Sequence, residues 1–203
     1  MIKKNTWNRD TWRLFWAIPL PERVHEEIAA LQEELARVMP RDTVRWTPPQ
    51  NVHLTLVFLG NWKRNQVPQL TAGVEEALQG IPPFTLELDA AGVFPNWRRP
   101  RIIWLGVGGQ VDALLRVQEA VARAMVLAGW EPEKRAYSPH LTIGRVRKGL
   151  DDQALAHIGD AVRRLKVDPF GAHQVREIIL FRSDLRPSGA VYTPVARVEL
   201  VEE

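Results

Sequence analysis

The stretch NVHLTLVFLG, residues 51–60, places a histidine and a threonine two positions apart in a run of apolar, strand-forming residues. The stretch YSPHLTIGRV, residues 137–146, repeats the arrangement. Because side chains alternate between the two faces of a strand, each histidine shares a face with its own threonine. The pattern predicts two strands, each with one apolar face and one face that carries the pair His53 and Thr55 or the pair His140 and Thr142.

The same alternation assigns the neighbours of each histidine to a face. In the first stretch, Val57 is expected on the face of His53, whereas Leu54, Leu56 and Phe58 are expected on the opposite, apolar face. In the second stretch, Leu141 and Ile143 are expected opposite the histidine, and Gly144 is expected on the histidine face. The first strand is expected to end at Gly60.

Chance does not account for the two copies. A chain with 5 histidines and this composition is expected to contain about 0.015 matches to the pattern His–aliphatic–Thr–aliphatic. A single histidine beside an apolar segment is most often a hydrogen-bonded part of the structure. Two copies, at corresponding places in two similar halves, favour a shared purpose.

The rest of the chain supplies similar sets of elements around each copy. Apolar residues at helical spacing predict four helices, at 22–39, 66–80, 110–129 and 151–165. Aromatic and β-branched runs predict further strands at 12–20, 44–46, 83–94, 101–107, 173–185 and 191–200. The order predicts an α+β protein of two similar lobes, produced by an internal duplication. If helices cover one face of each sheet, the two histidine faces meet across a central cleft.

Composition restricts the class of protein. The hydrophobic fraction of 45% and the charged fraction of 25% are ordinary for a globular protein. No cysteine is present, which excludes disulfides and cysteine metal sites. The early apolar run LFWAIPL is too short for a membrane helix and lacks a signal-peptide cleavage site, so we expect a cytoplasmic protein without a membrane partner. Arginine makes up 21 of the 27 basic residues, which suits phosphate contacts, although a high-GC genome explains it equally well.

Two facing histidines suit general acid–base catalysis. Imidazole has an ordinary pKa of about 6.5, so one ring can accept a proton from water while the other donates one to a leaving oxygen. In-line displacement at phosphorus requires these two groups on opposite sides of the phosphate. The threonine hydroxyls of Thr55 and Thr142 are placed to donate hydrogen bonds to its non-bridging oxygens.

The sequence resembles the 2H phosphoesterase family over nearly its whole length, from Trp12 to about Leu200. The resemblance is carried by RLFWAIPLP, VRWTPPQNVHLTLVFLG, PRIIWLGV, SPHLTIGRV and LFRSDLRPSGAVYTPVARVEL. Within that family it is similar to the bacterial and archaeal RNA 2′,3′-cyclic phosphodiesterases, also called 2′-5′ RNA ligases. Residues 1–11 lie outside the resemblance and are expected to form a loose extension before a single bilobal domain, 12–203, in which the two lobes are intertwined.

The resemblance implies a fold and a reaction. The fold is two lobes related by a pseudo-twofold axis, each an antiparallel sheet with two helices on its outer face. The reaction is opening of a 2′,3′-cyclic phosphate at an RNA end to a 2′-phosphomonoester, without cofactor or metal, by a protein expected to be a monomer. By analogy, His53 is the proton donor to the 3′ oxygen and His140 activates water. Reversible joining of RNA ends through a 2′-5′ bond, without ATP, is the same chemistry with an RNA 5′-hydroxyl in place of water.

Other residues have two interpretations each. Arg145 either reaches the cleft, if Gly144 forms a bulge, or makes a salt bridge. Phe15 either stacks a base of the substrate or packs in the core. The loop NWRRPR, with Trp97, Arg98, Arg99 and Arg101, either binds an RNA backbone or is an exposed hairpin tip. His25 and His157 lie on polar helices and are expected to be exposed. No His-x-His or HExxH pattern is present, so no metal site is expected.

Two alternative functions remain open at this point. One is a module that binds a nucleotide or RNA end in the His/Thr cleft without turning it over. The other keeps the chemistry but changes the substrate to a small molecule such as ADP-ribose 1″,2″-cyclic phosphate. Only an enzyme loses turnover when either histidine is replaced.

Overall fold

Nine strands and four helices follow one another in the described part of the chain, residues 10–132, 135–167, 169–187 and 189–201 of a computed structural model. The helices are α1 (Glu22–Val38), α2 (Val67–Ala77), α3 (Val111–Leu127) and α4 (Asp152–Arg164). The strands are β1 (Thr11–Ile18), β2 (Val44–Trp46), β3 (Leu54–Lys63), β4 (Phe84–Phe94), β5 (Ile102–Gly109), β6 (His140–Val146), β7 (Phe170–Val175), β8 (Glu177–Arg186) and β9 (Gly189–Glu199).

The strands form two antiparallel sheets, each of which carries one histidine motif. The first sheet has the order β3-β1-β8-β9, and the second has the order β2-β6-β5-β4-β7. Helices α2 and α3 bury their apolar faces on the first sheet, and α1 and α4 bury theirs on the second. The predicted α+β fold of two similar lobes, with two helices covering each sheet, is confirmed.

The lobes do not coincide with the halves of the chain. Strand β1 belongs to the first sheet, but α1, which follows it, packs on the second sheet. Strand β5 belongs to the second sheet, but α3, which follows it, packs on the first. The first sheet is completed by β8 and β9 from the end of the chain. Each lobe is therefore built from segments of both halves of the chain.

The predicted strand at 173–185 is wrong in one respect, because it is two strands. Strand β7 pairs with β4 in the second sheet, and β8 pairs with β1 and β9 in the first. The chain crosses between sheets at Arg176, whose carbonyl accepts a hydrogen bond from Leu200 N at 2.8 Å. No glycine or proline separates the two strands, so the sequence does not mark the crossing.

Strand ends differ from the prediction at two further places. Strand β3 continues past Gly60 to Lys63, although Gly60 has a φ of +75°. Strand β1 begins at Thr11, and residues 1–9 of the predicted extension lie outside the described residues. No helix in the described part of the chain is long and apolar enough to cross a membrane.

Candidate active site

Each motif strand carries a β-bulge directly after its threonine. In the first sheet Ala17 pairs with Thr55 and Trp16 pairs with Val57, so Leu56 is the extra residue. Because a bulge adds one residue to one strand, it reverses which face each later side chain occupies.

The second sheet has its bulge at the equivalent position. Trp104 pairs with Thr142 and Ile103 pairs with Gly144, so Ile143 is the extra residue. In both motifs the extra residue is the aliphatic one that follows threonine. The two sites are thus built alike in the backbone as well as in the four polar side chains.

Because of the bulge in β3, two residues lie on the face opposite to the one predicted. Val57 was expected beside His53, but it is buried in the core under the helices. Phe58 was expected in the core, but it is 47% exposed and its ring lies 5.5 Å from that of Phe15, on the face of Thr55. Alternation alone gives the wrong answer because it assumes a regular strand.

The bulge in β6 places Arg145 on the histidine face. The pairing with β5 shows this placement. Ile102, Trp104 and Gly106 are alternate residues on one face of β5, and they pair with Arg145, Thr142 and His140 in that order. The bulge required for this placement is therefore present, although the extra residue is Ile143 rather than Gly144. Gly144 itself turns to the core side, where an added Cβ would meet Val44 and Trp46.

Both histidine rings are held in the same tautomer by the same local hydrogen bond. Nδ1 of His53 lies 2.8 Å from the carbonyl oxygen of Asn51, and Nδ1 of His140 lies 2.8 Å from that of Ser138. A carbonyl only accepts, so each Nδ1 must carry the hydrogen. This leaves Nε2 of each ring to exchange protons with a substrate.

His53 sits on an aromatic platform. Its ring stacks on Phe15 at 4.7 Å and meets the edge of Tyr192 at 5.0 Å, with Phe181 6.2 Å away. Burial lowers the pKa of His53 to about 4, and the bond to Asn51 opposes this only in part. The ring is therefore neutral at pH 7 when no anion is bound.

The platform corrects the interpretation of Phe15 as a base-stacking residue. Phe15 lies on the cleft face as that interpretation required, but it is 1% exposed. Its ring is covered by His53, Phe58, Phe181 and Tyr192. Its role in this structure is to support the histidine.

His140 has a different aromatic neighbour. The ring of Phe94 meets it edge-on at 5.1 Å, and Trp104 lies 5.2 Å from Phe94. Gly92 makes room for Trp104, because a Cβ at Gly92 would lie 2.2 Å from the indole ring. Strand β4 thus positions the second histidine from the side opposite to β2.

The two motif strands meet where the lobes join. The phenol of Tyr137, three residues before His140, donates a hydrogen bond to the carbonyl oxygen of Thr55 at 3.0 Å. Burial raises the pKa of Tyr137 well above its ordinary value, so the phenol stays a neutral donor. Thr55 and Thr142 are half-buried on the two cleft faces.

Other polar groups were expected to have little part in the site. His157 is exposed as expected, but the expectation for His25 is wrong, since its side chain is 13% exposed. Within the described residues, no group of three or more His, Cys, Asp or Glu is placed to hold a metal ion. Metal independence remains a prediction.

Comparison with known proteins decides the family. The family model described as LigT like Phosphoesterase matches the chain twice, over residues 18–104 and 105–192. The chain belongs to the LigT-like phosphoesterase family. The two matches also confirm the predicted internal duplication.

Relatives and solved structures agree with this membership. The RNA 2′,3′-cyclic phosphodiesterase of Methanothermobacter thermautotrophicus is 33% identical, over 89% of this chain and 95% of its own. The protein of that name from Thermus thermophilus is 31% identical, over 93% and 90%. The structure of E. coli LigT complexed with 3′-AMP is 28% identical, covers 95% of this chain and 99% of its own, and superposes with a TM-score of 0.73.

Sequence reasoning missed the aromatic and phenolic residues of this LigT-like phosphoesterase. Tyr137 lies inside the quoted second stretch, but nothing in its spacing indicates a bond to the other lobe. Tyr192 and Phe94 reach the histidines from strands far away in sequence, and Trp104 packs behind Phe94. The repeated aliphatic residue after each threonine was visible in the sequence, but only strand registers identify it as a bulge.

Proposed function

We propose that this LigT-like phosphoesterase opens RNA 2′,3′-cyclic phosphate ends to 2′-phosphomonoesters by metal-independent acid–base catalysis. One observation carries the proposal. The two histidines occupy equivalent positions in two similarly built strands, one in each sheet, and each has Nδ1 fixed and Nε2 left for the substrate. The names of the curated relatives support the cyclic phosphodiester as the reacting group.

In the proposed reaction one proton is taken up by one histidine and one is released by the other. Nε2 of His140 takes a proton from water while the water oxygen bonds to phosphorus. The bond from phosphorus to the 3′ oxygen breaks, and Nε2–H of His53 gives its proton to that oxygen. The 2′ bond remains, which leaves a 2′-phosphomonoester and a 3′-hydroxyl. The hydroxyls of Thr55 and Thr142 donate to the non-bridging oxygens, and solvent then resets the two rings. The direction of transfer rests on the resemblance to the 2H family.

His53 must be protonated to act as the acid, although burial favours its neutral form. A bound phosphodiester supplies the missing stabilisation, because a negative charge within hydrogen-bonding distance of Nε2 raises the pKa of an imidazole. The buried platform of Phe15 and Tyr192 strengthens this effect, since charges interact more strongly away from water. Substrate binding and proton loading of His53 are therefore coupled in the proposal.

Joining of RNA ends is the same ring opening with a different nucleophile. A 5′-hydroxyl in the place of water attacks the cyclic phosphate and gives a 2′-5′ bond without ATP. A cytoplasmic location and a monomeric state stay predictions from the sequence.

The test compares turnover by wild type, His53→Ala and His140→Ala on a short RNA with a 2′,3′-cyclic phosphate end, in EDTA. We expect 2′-phosphate product from wild type and a rate loss of about 10²–10⁴-fold in each variant. His157→Ala is the matched control, since His157 is exposed on α4, and it should retain the wild-type rate. If RNA binds but is not turned over, the histidine cleft binds RNA without catalysis. If RNA is turned over equally by wild type and both histidine variants, the cleft is not the catalytic site. If only ADP-ribose 1″,2″-cyclic phosphate is opened, the RNA assignment is wrong.

A further inference from the structure

A groove lined by cations borders the second sheet. It encloses about 1170 Å³ at the end of β6, beyond His140. Its charged lining comprises one carboxylate, Asp152, and six cations, Arg45, Arg99, Arg101, Arg145, Arg147 and Lys148. The chain as a whole carries 27 basic and 24 acidic residues, so this charge is locally concentrated.

Part of the groove lining lies on the face of the sheet that carries the candidate active site. Arg145 pairs with Arg45 on β2 and with Ile102 on β5, which places these three side chains in a row on the face of His140. At about 3.3 Å per strand residue, the row lies roughly 15 Å along β6 from His140. A strand of nucleic acid whose end is held at His140 reaches the row within a few nucleotides.

The loop before β5 holds part of the groove in a fixed shape. Oδ1 of Asn96 accepts hydrogen bonds from the backbone N–H groups of Arg98 and Arg99, at 3.1 and 3.0 Å. Trp97 docks this loop on α4, where Gly159 lies so close that an added Cβ would be 2.0 Å from the Trp97 carbonyl oxygen. Arg163 lies over the Trp97 ring at 5.1 Å. The loop is thus docked on α4 through Trp97, whereas Arg98, Arg99 and Arg101 are exposed.

Sheet-like hydrogen bonds fix the backbone of the other cationic residues. The carbonyl oxygen of Arg101 accepts from Val146 N at 3.0 Å, and Arg147 N donates to Thr43 O at 2.8 Å. The backbone from which these side chains project is therefore set before any ligand arrives. Binding does not have to order this backbone, which reduces the loss of conformational entropy.

The cations have little internal neutralisation. Arg99 pairs with Asp152 at 3.2 Å, but both side chains are at least 70% exposed, and such pairs contribute little. For Arg45, Arg101, Arg145, Arg147 and Lys148, no carboxylate lies within 4 Å in the part of the chain that the structure describes. Held together without counter-charges, they repel one another and attract a polyanion.

We propose that the groove binds the phosphodiester backbone of RNA on the 5′ side of the cyclic phosphate end, and so makes polynucleotides better substrates than mononucleotides. This inference rests on the proposed function, whose reacting group it places at His53 and His140. A mononucleotide fills the histidine cleft but leaves the groove empty. A small dinucleotide-like substrate gains less from a row of this length than an oligonucleotide does.

The test measures kcat/KM for 2′,3′-cyclic AMP and for a short RNA that ends in the same nucleotide. The variant is Arg147→Glu/Lys148→Glu. The control is Arg116→Glu/Arg123→Glu, which makes the same charge change on the exposed face of α3 over the other sheet. We expect wild type to prefer the RNA. The groove variant should lose at least about tenfold on the RNA and change less than about twofold on 2′,3′-cyclic AMP, with the control near wild type.

Salt dependence gives a second readout. Each lost phosphate contact should make the slope of log kcat/KM for the RNA against log salt concentration shallower by about 0.7. If wild type has equal kcat/KM for the two substrates, or if the groove variant and the control lose equally on the RNA, the groove does not bind RNA. Either result would leave the proposed reaction intact. If wild type opens neither substrate, the proposed function fails instead. In that case, fluorescence anisotropy of a labelled RNA with a 2′-phosphate end still tests RNA binding by the groove. The proposal requires that the groove variant binds this RNA more weakly than wild type and that the control does not.

Discussion

At the scale of single residues, the two histidines share a motif but differ in surroundings. His53 stacks on Phe15 within a buried aromatic platform, and its pKa is lowered to about 4. His140 begins a strand and meets Phe94 edge-on. An alternation pattern identifies both histidines, but it does not distinguish their environments, because Phe15 and Tyr192 come from strands far apart in sequence.

The lowered pKa of His53 links protein stability to pH. In the unfolded chain the ring takes up a proton near its ordinary pKa of about 6.5, whereas in the folded protein it remains neutral down to about pH 4. Between these values the unfolded state binds more protons, so the free energy of unfolding falls as pH decreases.

We expect His53 to contribute a loss of about 2 kcal/mol between pH 7.5 and pH 5. The measurement is urea unfolding of wild type and His53→Gln at both pH values. Because glutamine does not titrate, the variant should lose about 2 kcal/mol less than wild type over this range. The same pH dependence in both proteins would show that His53 titrates normally in the folded state.

At the scale of strands, the two bulges decide which side chains flank the histidines. Leu56 and Ile143 are the extra residues of the two bulges, and each moves the residues after it to the opposite face of the strand. The strands themselves, and the faces of the residues before each bulge, were predictable from alternation. Phe58 and Arg145 were not, because a bulge is set by pairing with β1 and β5 rather than by local sequence.

Strand β4 supports His140 through a contact that requires a glycine. We expect Gly92→Ala to cost about 1–3 kcal/mol, because its Cβ would lie 2.2 Å from the Trp104 ring and the indole must move. Trp104 packs on Phe94, which borders His140, so turnover of the cyclic phosphate should fall as well. Chemical denaturation and the rate assay measure the two effects.

Gly73→Ala is the control for the added methyl group. Gly73 lies inside α2 with nothing within 4 Å of an added Cβ, so alanine should stabilise the protein by about 0.5–1 kcal/mol. Unchanged stability and rate in Gly92→Ala would mean that Trp104 has space to shift and does not position the second histidine.

At the scale of the whole molecule, the two lobes exchange chain segments and meet at the site. The repeated pattern predicts that there are two lobes, that they resemble each other, and that each has two helices. The exchange was not predictable, because α1 and α3 each pack on a sheet that the strand directly before them does not join. The change of sheet at Arg176 was equally hidden, since the run 173–185 contains no glycine or proline to mark a break between two strands. Tyr137, which bonds the carbonyl of Thr55, connects the strand of one histidine to that of the other.

The central claim is that His53 and His140, from different lobes, act on one phosphate as a single acid–base unit. The most direct test adds the double variant His53→Ala/His140→Ala to the two single variants and compares kcat on a 2′,3′-cyclic phosphate RNA in EDTA. Groups that act as a unit are not additive, so the double variant should lose about as much as the worse single variant. Losses that multiply, or a single variant with the wild-type rate, would show that the two histidines do not share one reaction.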